Sequence, residues 1–161
     1  MCRSFYFARV LIPFLVLMGV AACSGEDCPI NNTVQGKLAF YSEYGDAVSF
    51  GGELTVSVVR PQGDSVVLNR KTNASEVLFP LSYANETDTF VLNYAGIACD
   101  SIFISHINTP TLVSIDCGMA MFHTITSISS THYEIDSLVL KSSDVDYDEH
   151  ENIQVIYRIA D

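Results

Sequence analysis

Residues 52–59, GELTVSVV, alternate apolar and polar side chains and place Leu54, Val56 and Val58 on one side. Neighbouring side chains of a β-strand point to opposite faces, so this period predicts a strand with one buried face. The same alternation recurs at 89–94 (TFVLNY) and 152–159 (NIQVIYRI).

Further candidate strands fill most of the chain after residue 32, at 36–42, 64–69, 77–83, 101–107, 110–116, 121–129 and 134–141. Turn-forming segments separate them, at 44–47, 60–64, 84–88, 95–100, 108–110 and near 144. No segment of this region has helical spacing. Many short strands with polar turns predict an all-β protein, an antiparallel β-sandwich of immunoglobulin-like or fibronectin-like type. A transthyretin-like sandwich is the alternative, and the buried Trp of immunoglobulin domains is missing because the chain has no Trp.

The first 22 residues have the layout of a secretory signal. Arg3 and Arg9 precede an uncharged segment at 10–22, which is shorter than the roughly 20 apolar residues of a spanning helix. The segment 20–23, VAAC, resembles the lipobox of bacterial lipoproteins. That resemblance implies cleavage before Cys23 and its modification with diacylglycerol and a further acyl chain such as palmitate, whereas an ordinary secretory signal would make Cys23 a chance residue.

Residues 1–22 are therefore predicted to be a signal peptide, 23–32 a lipidated tether and 33–161 one β-sandwich domain. The acidic segment 24–27 (SGED) resembles the surface-export signal of lipoproteins in Bacteroides-type bacteria. We expect an outer-membrane lipoprotein, and both the periplasmic and the surface face remain open.

The predicted mature chain is strongly acidic. It keeps six of the eight Lys and Arg residues and all 19 Asp and Glu residues, so its net charge is 6 minus 19, or −13. This charge argues against nucleic acid as a partner and against charge-driven adhesion to anionic lipid. The expected partners are the membrane, through the lipid anchor, and an envelope protein or glycan.

The acidic segment 142–152, SSDVDYDEHEN, contains hard oxygen ligands of the kind that calcium prefers. The candidate ligands are Asp144, Asp146, Asp148 and Glu149. An EF-hand loop would have Gly in place of Glu149 and Glu in place of Val155, so the alternative is a solvated hairpin loop.

The remaining chemistry in the sequence is sparse. The four His residues are scattered without the spacing of zinc ligands. Cys117 precedes His123 by six residues, which suits a nucleophile and its base, but the flanking residues of Cys-protease signatures are missing. A disulfide Cys and a strand His explain both residues with fewer assumptions, so we expect neither an enzyme nor a cofactor.

A short pattern of Asp, Ser or Thr, then apolar residues begins at Asp64, Asp88, Asp100 and Asp136. Asp bonds nearby backbone groups in turns, so the pattern predicts an Asp that closes a turn before each strand. The same pattern resembles the O-glycosylation site of Bacteroides-type bacteria. That resemblance implies three possible modification sites, namely Ser65, Ser101 and Ser137.

Three cysteines remain after the predicted anchor, Cys28, Cys99 and Cys117, and they allow one disulfide. Spacing alone does not choose the pair. Ordered blocks of the chain, chiefly SIDCGMAMF at 114–122, resemble a family of small uncharacterised lipoproteins from Bacteroides-type bacteria. That resemblance has a Cys at the positions of Cys28 and Cys117, which implies that these two pair, and it implies a location and a fold class but no reaction.

These observations predict a lipid-anchored, non-enzymatic binding or scaffolding β-domain of the cell envelope. The first alternative is a calcium- or glycan-binding module that uses the acidic segment or exposed Tyr residues. The second is an envelope hydrolase that uses Cys117 or a pair of carboxylates.

Overall fold

The structure, a computed structural model, describes Cys28 and residues 33–96 and 98–158. These residues form strands and no helix, so the all-β prediction is confirmed and no described helix is long and apolar enough to cross a membrane. The strands are β1 (Gln35–Ser42), β2 (Phe50–Val58), β3 (Ser65–Ala74), β4 (Glu76–Pro80), β5 (Thr87–Tyr94), β6 (Ala98–Ser114), β7 (Gly118–Ser130), β8 (Ile135–Leu140), β9 (Asp144–Val145) and β10 (Glu151–Tyr157).

The described strands form two open sheets. One has four strands in the order β4-β1-β10-β8, and the other has six in the order β3-β2-β5-β6-β7-β9. The described strands pair antiparallel, except for β1 and β10, which are parallel. The sequence predicted a purely antiparallel arrangement. It did not predict the parallel pair, because alternation along one strand carries no information on the direction of the neighbouring strand.

Both sheets contribute their apolar faces to one hydrophobic core. Leu54, Val56 and Val58 are buried in it, as their alternation predicts. Phe79 of β4 meets Phe90 of β5 edge to face, with ring centroids 5.3 Å apart, so aromatic packing joins the sheets. The Phe79 ring also lies directly over Gly36, where an added Cβ would come within 2.3 Å of it, and this close approach requires glycine.

The predicted turn at 108–110 is wrong, because β6 runs straight through it and joins two predicted strands into one. Its pairing with β5 ends at Ser105, and beyond that residue β6 pairs with β7 alone among the described strands. Pro110 therefore lies in a stretch of β6 that is paired on one side, where a missing N–H leaves the ladder intact.

The acidic segment is only partly a solvated hairpin loop. It connects β8 to β10 in one sheet, but its residues Asp144 and Val145 form β9 and pair with β7 in the other sheet. Val145 is buried, and Tyr147 packs against Phe122 with centroids 5.4 Å apart. Apolar residues within the acidic segment thus attach it to the core.

Candidate functional site

A buried polar cluster lies where β5, β6 and β7 are side by side. Asp88 comes from β5, His106 and Asn108 from β6, and His123 from β7. Register explains the grouping: Asn108 is the antiparallel partner of His123, and His106 lies two residues before Asn108 on the same face. Asp88, His106 and His123 are all buried. We call these four residues the histidine cluster.

Asn108 fixes the hydrogen-bond directions of the cluster. Its Nδ2 donates to the carbonyl oxygens of Tyr83 (3.1 Å) and Asn85 (3.0 Å), which sets the orientation of the amide. Its Oδ1 then faces Nδ1 of His106 at 2.9 Å and Nδ1 of His123 at 2.7 Å. Since Oδ1 can only accept, both rings must donate from Nδ1.

His106 has an acceptor beside each of its ring nitrogens. Its other nitrogen, Nε2, lies 3.1 Å from Oδ2 of Asp88, a carboxylate oxygen that can only accept. Asp88 also pairs with Arg60, while its Oδ2 accepts the N–H of Ser82 at 2.6 Å.

His123 is neutral at pH 7. Burial, followed by the repulsion of His106, lowers its pKa to about 4, although the charge of Asp88 acts in the opposite direction. Its Nε2 is buried and has no hydrogen-bond partner among the described residues. The ring of Tyr83, which is 51% exposed, stacks on it at a centroid distance of 5.7 Å. The cluster therefore holds one imidazole lone pair beneath an exposed tyrosine.

Two open grooves flank the cluster on the side of Arg60. One has a volume of about 330 Å³ and is lined by Tyr83 among others, and the second, of about 610 Å³, is lined by Asn85 among others. Arg60 and Ala84 line both grooves. The half-buried Arg60 and the exposed ring of Tyr83 thus border a surface of the size that small ligands occupy.

A second buried carboxylate, Asp100 of β6, is surrounded by donors. Burial alone would raise its pKa, but hydrogen bonds from the Tyr133, Glu134 and Ile135 N–H groups and the Thr131 hydroxyl outweigh it and hold the pKa below its ordinary value. Five donors lie 2.7–3.2 Å from its oxygens: Tyr94 Oη, Thr131 Oγ1 and the N–H groups of Tyr133, Glu134 and Ile135. Asp100 thereby holds the turn between β7 and β8 against β6.

The four Asp residues of the repeated pattern have different roles. Both Asp88 and Asp100 are buried within strands. Asp100 bonds groups more than 30 residues away, so the predicted local turn closure is wrong for it, whereas Asp88 accepts the N–H of Ser82 six residues earlier and also bonds the distant Arg60 and His106. Asp136, in β8, lies 3.7 Å from Arg158 on the surface, and Asp64 precedes β3. Of the proposed glycosylation residues, Ser65 is exposed, while Ser101 and Ser137 are half-buried.

The predicted calcium ligands do not form a metal cage. Asp146 accepts the N–H of Asp148 at 2.9 Å, and Asp148 lies 3.6 Å from His150. Asp144 contacts the Ser143 hydroxyl, and Glu149 adopts a positive φ of 48°. Within the described residues, no group of three or more His, Cys, Asp or Glu side chains is placed to hold a metal ion. The calcium prediction gains no support from this arrangement.

The cysteines follow the pairing that the resemblance implied. Cys28 and Cys117 form a disulfide, and Cys99 is free. The thiol of Cys117 is therefore committed to a covalent bond and is not available as a nucleophile for His123. Cys23, the predicted lipidation site, lies outside the described residues.

A model of a family of unknown function, DUF6452, matches residues 53–157. The match includes both buried carboxylates, the histidine cluster and the acidic segment, and ends at the last residue of β10. Neither a curated protein nor a solved structure matches the chain.

Proposed function

The chain belongs to the family of unknown function DUF6452, and from its own residues we propose that it is a lipid-anchored, non-enzymatic binding or scaffolding protein of the cell envelope. The observation that carries the proposal is the short apolar segment that follows Arg3 and Arg9 and ends in VAAC at 20–23. Diacylglycerol and an acyl chain on Cys23 would give stable anchoring, since each buried methylene contributes about 0.8 kcal/mol. The anchor would lie in the outer membrane of a Bacteroides-type bacterium.

For the fold, we propose that the two sheets form a β-sandwich of immunoglobulin-like or fibronectin-like type. The support is that apolar faces of both sheets share one core and that Phe79 and Phe90 pack across it. The parallel pairing of β1 with β10 brings the first and last described strands together at the centre of the four-stranded sheet.

A binding role, in preference to catalysis, rests on the state of the two groups that the Cys–His form of the hydrolase alternative needs. Cys117 is in a disulfide, and Nε2 of His123 has no described hydroxyl or thiol within hydrogen-bond distance. The grooves beside Arg60 are open, whereas catalytic sites converge polar groups in a concave pocket.

The anchor is tested by replacing Cys23 with Ser and following the protein in a detergent-partitioning experiment on whole envelopes. We expect the wild-type protein in the detergent phase and the Cys23→Ser protein in the aqueous phase. The matched control is Cys99→Ser, which removes a free thiol and should leave the partitioning unchanged. A Cys23→Ser protein that still enters the detergent phase contradicts the proposal.

A glycan is the second candidate for the bound component, favoured by the exposed Tyr83 ring at the edge of a groove. An exposed aromatic face offers apolar contact area to a sugar ring while neighbouring polar groups bond its hydroxyls. Wild-type, Tyr83→Ala and Tyr133→Ala proteins should be compared for retention on columns of purified envelope polysaccharide. Loss of retention in Tyr83→Ala alone supports the glycan, since Tyr133 is comparably exposed elsewhere. Equal retention of all three proteins excludes this groove.

A further inference from the structure

The hairpin of β6 and β7 ends in an exposed apolar patch. Leu112 and Met119 are cross-strand partners and are 61% and 56% exposed, and Ile115 in the turn is 94% exposed. On the other side of the hairpin, Val113 and Ala120 pack toward the core. The end of the hairpin is thus apolar on both sides, and only one side is covered. We call Leu112, Ile115 and Met119 the tip patch.

The disulfide ties this same turn to the proposed anchor. Cys117 lies in the turn, two residues after Ile115, and is bonded to Cys28, which follows Cys23 by five residues. Five extended residues span at most about 17 Å. Five residues and one disulfide therefore connect the proposed lipid-bearing residue to the turn that carries the tip patch.

We infer that the tip patch inserts into the surface of the bilayer that carries the lipid anchor. The inference rests on the proposed lipidation of Cys23. Contiguous exposed apolar side chains mark interaction sites, and apolar side chains of interfacial segments lie about 5–10 Å into the boundary between headgroups and acyl chains. The anchor holds the domain close to the bilayer, and the apolar side chains of the tip patch then move from water into lipid.

Charge does not attract this end of the protein to the membrane. Asp116 in the turn is exposed, and Glu26 and Asp27 follow the predicted anchor. Anionic lipid would repel these carboxylates, so the contact depends on burial of apolar area. Insertion into zwitterionic lipid is consequently expected to persist at high salt concentration.

The chain has no Trp, so one introduced Trp reports on one position only. Ile115→Trp places it in the tip patch, and Val66→Trp places it on β3, an edge strand separated from β6 by β2 and β5, where Val66 is 59% exposed. Each full-length lipoprotein is purified from envelopes and reconstituted into phosphatidylcholine vesicles with plain or brominated acyl chains. Flotation with the vesicles is measured first, and Trp emission second.

We expect both proteins to float. Bromine should lower the emission of the Ile115→Trp protein roughly twofold at low and at high salt, because its ring lies at the depth of the upper acyl chains, and leave that of Val66→Trp unchanged. Failure of both proteins to float overturns the anchor. If the Ile115→Trp protein floats but its emission is equal in the two lipids, the proposed insertion of the tip patch is overturned and the anchor still stands. The patch would then require a protein partner.

Discussion

Asp88 and Asp100 begin the same short sequence pattern, lie on adjacent strands and are both buried, yet they support different kinds of polar cluster. Every donor around Asp100 is a neutral group, and three of them are backbone N–H groups of a single turn. Asp88 instead pairs with the Arg60 guanidinium and faces the His106 ring, and among the described residues it accepts a single backbone N–H, that of Ser82. The Asp100 carboxylate thus fixes the backbone of a turn, whereas the Asp88 carboxylate balances positive charge.

The comparison separates a complete cluster from an incomplete one. A buried carboxylate with a full set of donors fixes a single conformation, because each lost hydrogen bond leaves a buried polar group unpaired. The histidine cluster has one nitrogen, Nε2 of His123, that is buried without a described partner. Unsatisfied buried groups are few in native proteins, and each has a specific cause such as strain, a bound water or ion, or a chemical role.

The largest effect is expected from Asp100→Asn. An amide presents a donor nitrogen where one carboxylate oxygen now accepts, so buried N–H groups of the β7–β8 turn lose their acceptor. The free energy of unfolding should fall by on the order of 3 kcal/mol, measured by urea denaturation at neutral pH. Asp136→Asn is the matched control from the same sequence pattern, and its exposed ion pair with Arg158 should contribute less than about 1 kcal/mol. Equal losses in the two variants would refute the role given to Asp100.

A smaller loss, about 2 kcal/mol, is expected from Asp88→Asn. The substitution removes the negative charge beside Arg60, but the half-buried Arg60 side chain can then turn toward water. The histidine cluster can thus rearrange to offset part of the lost stability, whereas the turn held by Asp100 cannot. Urea denaturation of the Asp88→Asn and Asp100→Asn proteins side by side tests this order, and a larger loss for Asp88→Asn would reverse the comparison.

Sequence alone predicted the strands and the burial of alternating residues, because period two is a local property that Leu54, Val56 and Val58 carry in eight residues. It also singled out Asp88 and Asp100. It could not predict their partners, since Asp100 bonds residues more than 30 positions away. Those contacts depend on the tertiary arrangement of strands.

The histidine cluster was missed for a specific reason. His106 and His123 are 17 positions apart and have no ligand spacing, but the turn at Gly118 folds them together as neighbours on paired strands. The signal that could have found them is the symmetry of a hairpin about that turn, which places Asn108 opposite His123. Treating 108–110 as a turn hid this symmetry.

The two clusters should lose stability in different pH ranges. The pKa of His123 is lowered to about 4 in the folded protein, whereas an unfolded histidine titrates near 6.5. The unfolded chain therefore binds the proton first, and this contribution to stability is complete above about 6.5 and is lost as the pH falls toward 4. The pKa of Asp100 is also lowered, so its contribution is present above the unfolded value of about 3.9 and is lost only at lower pH.

His123→Asn isolates the higher range, since the Asn amide can still donate to Asn108 but does not titrate. The decrease in the free energy of unfolding between pH 6.5 and 4 should be shallower for this variant than for the wild-type protein. His150→Asn, at an exposed histidine, controls for the loss of a titrating group. If the wild-type and His123→Asn curves are parallel across this range, His123 is not the group that couples folding to pH.

The smallest effect on stability, and the most specific one, is expected from Tyr83→Ala. The half-exposed Tyr83 ring covers His123, so its removal should cost about 1 kcal/mol or less while admitting water to Nε2. Water reduces the burial that lowers the pKa of His123, so the titration midpoint should move up from about 4 toward the ordinary value of 6.5. The midpoint is measured from the Cε1 proton of His123 by NMR, with Tyr133→Ala as the control because its exposed ring lies beside the Asp100 turn. A midpoint that stays near 4 in Tyr83→Ala would mean that the surrounding strands, and not the tyrosine, keep water from His123, and the histidine cluster would then be as closed as that of Asp100.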